Sequence, residues 1–181
     1  MAALNILRRS ETAPEPGAQA EVRQFLTFQL AGETFAIGIL RIREILEYIK
    51  PTSVPLMPPF IRGVMNLRGA VVPVIDLSLR FARDETEINR RTCIVIIEVE
   101  HDEQWQLIGV LVDTVHEVLA IPDSEIEPPP QFGSKIRVDF ISGMARIDNR
   151  FVVMLDVDKV LSVGEMSLLS ELSRQEEAQE E

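Results

Sequence analysis

The sequence predicts a mainly β protein, built as two small barrels from one duplicated unit. Three observations carry this. First, Phe60–Leu77 recurs without a gap at Phe140–Val157, an offset of 140 − 60 = 80 positions. Phe60/Phe140, Ile61/Ile141, Gly63/Gly143, Val72/Val152 and Asp76/Asp156 are identical, and most other apolar positions stay apolar. Second, a weaker match at an offset of 73 pairs Ile42, Glu44, Ile45 and Leu46 with Val115, Glu117, Val118 and Leu119. Third, short apolar runs are separated by glycine and proline at a spacing that favours small closed or nearly closed barrels.

The elements follow in order. Residues 1–23 hold few large apolar groups and cannot offset the entropy of ordering, so they are expected to form a disordered lead. Residues 24–175 form the folded part. The first barrel is placed at about 24–83 and the second at about 90–162, with a helix over 164–175 and an acidic tail at 176–181. Phe25–Leu30 is a strand, Ala31–Glu33 a turn, and Thr34–Ile37 the returning strand. Ile39, Ile42, Ile45 and Leu46 lie three or four apart, which predicts one or two helical turns. Pro51, Pro55, Pro58 and Pro59 force an extended crossing.

Gly63–Leu67 and Val71–Ile75 flank Arg68-Gly69, a tight hairpin in which Gly69 is free to take positive φ. Asp76 is a natural N-cap for a short helix. The cycle then restarts. Thr92–Val99 and Trp105–Val112 are strands around a turn at His101–Glu103, and Thr114–Leu119 takes the place of Ile42–Leu46. Pro128–Pro130 is the second, longer crossing, and Asp156–Leu161 is the second short helix. Met166, Leu168, Leu169 and Leu172 make Gly164–Arg174 amphipathic, as expected of a terminal helix that packs on the barrels. Two barrels joined by proline-rich crossings are expected to leave a groove between them, a common kind of binding site.

Composition excludes several functions. At 181 residues the chain can bury a sizeable core without staples. A net charge of −11 disfavours nucleic acid and anionic membranes. Cys93 is the one cysteine and lies in an apolar run, which predicts a buried thiol rather than a nucleophile. No apolar run reaches the roughly 18 residues of a membrane span, and no secretory leader is apparent, so a cytoplasmic location is expected.

Signs of catalysis are poor. There is no P-loop, nucleophile elbow, dinucleotide glycine fingerprint or zinc-binding histidine pair. His101 and His116 have no histidine or cysteine at metal spacing. No catalytic residue, metal ligand or cofactor is therefore assigned. Asp76 and Asp156 are read as two helix caps. An acid/base pair in the groove is the rival from another class. A receiver domain is excluded for want of alternating β/α elements and an acidic cluster.

The copies differ most at the first hairpin. Asn66–Gly69 faces Arg146–Asn149, so Arg68 at the tip corresponds to Asp148. Arginine is enriched at interface hot spots, which favours an anchor for a partner. Glu44 is its candidate ion-pair partner, and Ile42 and Val64 are candidates for an apolar floor under a docked helix. An isolated barrel that takes proline-rich peptides is a further rival. It needs an aromatic groove, whereas Trp105 and Tyr48, the only two of their kinds, lie far apart in sequence.

Phe25–Leu30, Phe35–Ile37, Ile61–Gly69, Val72–Leu77, Ile108–Asp113 and Ile141–Met144 together resemble the CheW family of chemotaxis coupling proteins, across roughly Arg23 to Leu172. The resemblance implies two five-stranded SH3-like barrels around a shared core. It implies a non-enzymatic scaffold that links the cytoplasmic tips of chemoreceptors to the regulatory domain of the histidine kinase CheA, recruited to receptor arrays at the membrane. It places Ile42, Glu44, Asn66, Arg68 and Gly69 on the receptor-facing surface, with helical receptor tips in the groove between the barrels. The kinase contact falls at barrel ends without residue assignments. Proteins of this kind also serve pilus-motility and other chemosensory arrays.

Overall fold

A computed structural model of the chain describes residues 21–101, 103–129 and 140–161. The acidic tail, the helix expected over 164–175 and nearly all of the expected lead lie outside the described residues. The first strand begins at Val22, inside the stretch read as the lead.

The fold is mainly β. Its strands are β1 (Val22–Leu30), β2 (Glu33–Gly38), β3 (Ile42–Glu47), β4 (Ile61–Leu67), β5 (Ala70–Asp76), β6 (Cys93–His101), β7 (Gln104–Val112), β8 (Thr114–Pro122), β9 (Ile126–Glu127), β10 (Ile141–Ile147) and β11 (Arg150–Leu155). Two short helices, α1 (Leu77–Arg80) and α2 (Val157–Val160), follow β5 and β11. Both are capped as expected. Asp76 accepts from the backbone N–H groups of Ser78 and Leu79, and Asp156 from that of Lys159.

The helix expected around Ile39–Leu46 is not formed. Ile39–Arg41 is a single 3-10 turn, and Ile42–Glu47 is strand β3. Burial along β3 alternates strictly, with Ile42, Glu44 and Leu46 inward and Arg43, Ile45 and Glu47 outward. The spacing of Ile42, Ile45 and Leu46 imitated a helical stripe, but Ile45 is an exposed residue on the outer face of a strand.

Two sheets make the two SH3-like subdomains. One has the order β3-β6-β7-β5-β4 and the other β8-β1-β2-β11-β10-β9. The sheets do not follow the two copies of the repeat. The β6–β7 hairpin of the second copy joins β3, β4 and β5 of the first, and the β1–β2 hairpin joins the second copy's β8 to β11. The same parallel pairing seals each exchange, Val74 opposite Gly109 in one barrel and Val153 opposite Phe35 in the other.

The shared glycines have a shared cause. In the first barrel Thr52 crosses the outer edge of β4 and bonds in both directions with Val64, at 2.8 and 2.9 Å. In the second, β9 crosses β10 at Met144 and Ala145. A Cβ on Gly63 would stand 2.1 Å from the Thr52 carbonyl oxygen, and one on Gly143 would stand 2.5 Å from Ile126 Cγ2. Only a glycine lets the closing strand come this near.

Much of the junction between the barrels is a shared core, and beside it an open cleft of about 710 Å³ remains, lined by Ala31, Glu33 and Asp113 from one side and Ser78, Arg83 and Thr86 from the other. Strands β1, β2, β6 and β7 are apolar on both faces. On β6, Ile94 and Ile96 fill the first barrel with Met65, Val72, Val74 and Leu111. Val95, Ile97 and Val99 point the other way, into a cluster that includes Phe28, Phe35, Ile75, Phe81, Ile108, Phe140 and Leu155. Phe25, Ala36, Ile121, Ala145, Val152 and Met154 fill the second barrel. The rings of Phe28, Phe35, Phe81 and Phe140 run through the shared cluster with centroids 6.1, 5.6 and 6.2 Å apart. Burying one such ring is worth roughly 1.5–3 kcal/mol, so the two barrels form one cooperative unit.

Candidate functional site

The site grows from the turn between β4 and β5. The register pairs Leu67 with Ala70, leaving Arg68-Gly69 as a two-residue loop. Arg68 takes φ +51° and Gly69 φ +90°, the left-handed backbone that suits the twist of a hairpin. The Asn66 side chain closes the turn, its Oδ1 accepting from the Gly69 backbone N–H at 3.0 Å. The Arg68 side chain thus leaves the tip of a braced turn rather than a loose loop.

Glu44 meets it from β3. Arg68 Nη1 donates to Glu44 Oε2 at 2.8 Å, and Nη2 donates to Oε1 at 3.1 Å. The pair is unequal, since the arginine side chain is 78% exposed and the glutamate 24%. Glu44 lies on the inward row of β3 with Leu46, which packs against the first barrel's interior. The more buried glutamate thus meets the guanidinium from the barrel side and aims it outward. Bidentate geometry fixes the plane of the fork as well as its position.

Beneath the pair is an open pocket of about 400 Å³ lined by Arg43, Glu44, Leu67, Arg68, Ile96 and Leu107. Leu67, Ile96 and Leu107 make the floor, where the first barrel's interior reaches the surface. The pocket lies at the mouth of the first barrel, not between the barrels. Leu107 belongs to β7 and comes from the second copy, so strand exchange completes the floor.

Of the five residues placed here from sequence, Glu44 and Arg68 line the pocket and Asn66 and Gly69 shape its turn. Ile42 does not join them and packs instead on the shared core. Val64, the other expected floor residue, sits at the closing contact with Thr52. Arg43, Leu67, Ile96 and Leu107 were missed. Leu67 carried a signal, an apolar residue beside the arginine, whereas Leu107 carried none without the strand order.

The second barrel repeats the turn without the pair. Asp148 and Asn149 take φ +50° and +62° in the same two-residue loop. The positions equivalent to Glu44 and Arg68 hold Glu117 and Asp148, two carboxylates that cannot bridge.

The rival sites fare differently. Asp76 is fully buried and spoken for. Its carboxylate accepts from the backbone N–H groups of Ser78 at 2.9 Å and Thr86 at 3.0 Å, and from the Thr86 hydroxyl at 2.8 Å. Asp156 caps α2. Tyr48 packs on the first barrel's interior, while Trp105 stands on β7 under the Arg41 guanidinium. Among the described residues, no three His, Cys, Asp or Glu side chains gather as a metal site, and no helix is long and apolar enough to cross a membrane. Cys93 is half-buried rather than buried, and its Sγ donates to the Arg91 carbonyl at 3.2 Å.

The chain is similar to known proteins in sequence and fold. The CheW-like domain matches residues 24–165. The chemotaxis protein CheW of Klebsiella aerogenes is 32% identical over 152 residues, covering 84% of this chain and 89% of that protein. CheW of Bacillus subtilis is 36% identical over 138 residues, with coverage of 76% and 86%. Protein FrzA of Myxococcus xanthus is 31% identical over 84% of this chain and 95% of its own length. The crystal structure of the scaffolding protein TtCheW from Thermoanaerobacter tengcongensis superposes with a TM-score of 0.71 at 32% identity, covering 80% of this chain and 96% of that one. With the domain, the double barrel and the relatives in agreement, the chain belongs to the CheW family.

Proposed function

We propose that this chain is a non-enzymatic scaffold that couples methyl-accepting chemoreceptors to the histidine kinase CheA in bacterial chemotaxis. It acts in the cytoplasm, recruited to receptor arrays at the membrane. The observation that carries the reading is the Arg68–Glu44 pair over the Leu67–Ile96–Leu107 floor. An exposed, pre-aimed arginine above an apolar patch suits the polar and apolar faces of a helical receptor tip. The paired glutamate holds the guanidinium in its bound pose, so little side-chain entropy is lost on docking. The fully bonded state of Asp76 and the cap role of Asp156 support a role without catalysis.

The test is capture of receptor cytoplasmic fragments and of the CheA regulatory domain by purified chain. Both are expected to bind, and Arg68→Glu is expected to lose the receptor fragment while keeping the kinase domain. If the chain takes neither, the adaptor reading fails. If Arg68→Glu keeps both, the site assignment fails alone. The match over 95% of FrzA favours a second reading, the same adaptor role in a pilus-motility or other chemosensory array. Binding to receptors from such a system in preference to flagellar-type receptors would decide for it.

A further inference from the structure

The pocket under Arg68 holds a second arginine. Arg43 lines it together with Glu44, its neighbour in the chain. In a regular strand successive side chains point to opposite faces, so the two should not meet at one pocket. The register explains how both arrive. Ile42 lies opposite Ile97 and Glu44 opposite Ile96, which makes Arg43 the extra residue of a β-bulge, a device that re-aims a side chain. The second copy is irregular at the same place, between Val115 and Val118. There His116 stands for Arg43, and the Thr27 hydroxyl donates to the Glu117 carbonyl at 2.8 Å and accepts from its N–H at 3.2 Å. The fold calls for the irregularity, not for an arginine in it.

Glu98 holds Arg43 beside the apolar floor. Ile94 and Ile96 of β6 fill the first barrel. Glu98 continues their row by two residues and lies directly opposite Leu107 of β7. Its carboxylate Oε1 meets Arg43 Nε at 2.7 Å, with the arginine side chain 62% exposed and the glutamate 24%. This is the build of the Arg68–Glu44 pair, an exposed arginine on a recessed glutamate. Two such pairs therefore border one floor of Leu67, Ile96 and Leu107. Neither guanidinium is used up. Of five N–H donors Arg68 gives two to Glu44, and Arg43 meets Glu98 at Nε, which leaves its terminal nitrogens to grip a carboxylate as a fork.

The rim thus presents cations and recesses its carboxylates, on a chain whose net charge is −11. Such a rim selects an acidic partner locally, whatever the charge of the whole molecule. Resting on the receptor reading of this pocket, we propose that Arg43 is a second cationic anchor beside Arg68. The docked helix presents a carboxylate to each arginine and lays an apolar side chain on the floor that they border.

The test is the affinity of the purified full chain for a receptor cytoplasmic fragment, measured beside the CheA regulatory domain. Arg43→Glu is expected to weaken the receptor fragment about tenfold and Arg43→Gln by less, with the kinase domain bound as before. The gap between the native chain and Arg43→Gln should narrow as salt is raised. Against a fragment whose tip carboxylates are replaced by their amides, Arg43→Gln should cost nothing further, because the group it would have met is gone. Native affinity in Arg43→Glu, with binding lost in Arg68→Glu, would overturn the second anchor and leave the receptor reading standing. Equal losses on the acidic and amide fragments would also overturn it, since Arg43 would then act through its bulk or through the fold. A native chain that takes no receptor fragment would overturn both readings together.

Discussion

Thr86 is tied twice to Asp76, its backbone N–H to Oδ2 at 3.0 Å and its hydroxyl to Oδ1 at 2.8 Å, both in the protein interior. The aspartate thereby holds the linker between the copies as well as capping α1. Among the described residues Asp156, its repeat counterpart, serves only as the cap of α2. Removing Asp76 strands several buried donors at once, while removing Asp156 loses one partly exposed cap. Asp76→Ala is expected to cost about 3 kcal/mol or more, and Asp156→Ala about 1 kcal/mol. Urea denaturation of the two variants measures the difference, and equal losses would contradict the assignment.

The paired glycines make a second graded comparison. Gly63 combines φ +141° with a backbone oxygen 2.1 Å from its would-be Cβ. Gly143 would meet first a side-chain methyl, Ile126 Cγ2, which can shift. Gly63→Ala is expected to prevent the first barrel from closing, at about 3 kcal/mol or more, and Gly143→Ala to cost about 1–3 kcal/mol. Melting temperatures of both variants test the order. A Gly63→Ala protein as stable as Gly143→Ala would show that Thr52 can move aside.

Sequence made part of this legible and hid part, for physical reasons. The β4–β5 hairpin, both aspartate caps and the Glu44–Arg68 partnership could be read because each depends on residues at short range or on a break in the repeat. The strand exchange could not. A repeat shows which segments resemble one another, whereas pairing is decided by how apolar both faces of β1, β2, β6 and β7 are and by where they bury. The same blindness hid Leu107, which reaches the site only because β7 crosses into the first barrel. Strand β3 was misread for the opposite reason, since Ile45 is apolar without being buried.

The ion pair at the site allows orientation to be separated from stability. An exposed pair of this kind is worth about 0–1 kcal/mol, so Arg68→Ala and Glu44→Ala should each leave the denaturation midpoint nearly unchanged. The reversed pair, Glu44→Arg with Arg68→Glu, keeps an attraction between β3 and the turn but presents a carboxylate where the guanidinium stood. It is expected to fold normally and to fail to capture receptor fragments. Capture at unaltered affinity by the reversed pair would mean that the charge at the tip is not what the partner reads.

Cys93 supplies a test of the β3–β6 edge. Burial pushes its thiol up from the ordinary cysteine range, and the nearby Glu47 carboxylate acts in the same direction, while a hydrogen bond from the Val115 backbone works against both. Only the thiolate attacks an alkylating agent, so a raised pKa means little reactive sulfur near neutral pH. The native chain is expected to react with iodoacetamide more slowly than free cysteine at pH 8. Its rate should still be climbing above about pH 8.5, where an ordinary thiol is half ionised. The stability linked to this group has the same sign. It is present in full below the unfolded thiol's pKa and is lost as pH rises through the folded one, because the unfolded chain releases its proton first. A rate profile centred at or below the ordinary thiol value would show that the edge opens and that Cys93 spends its time in water.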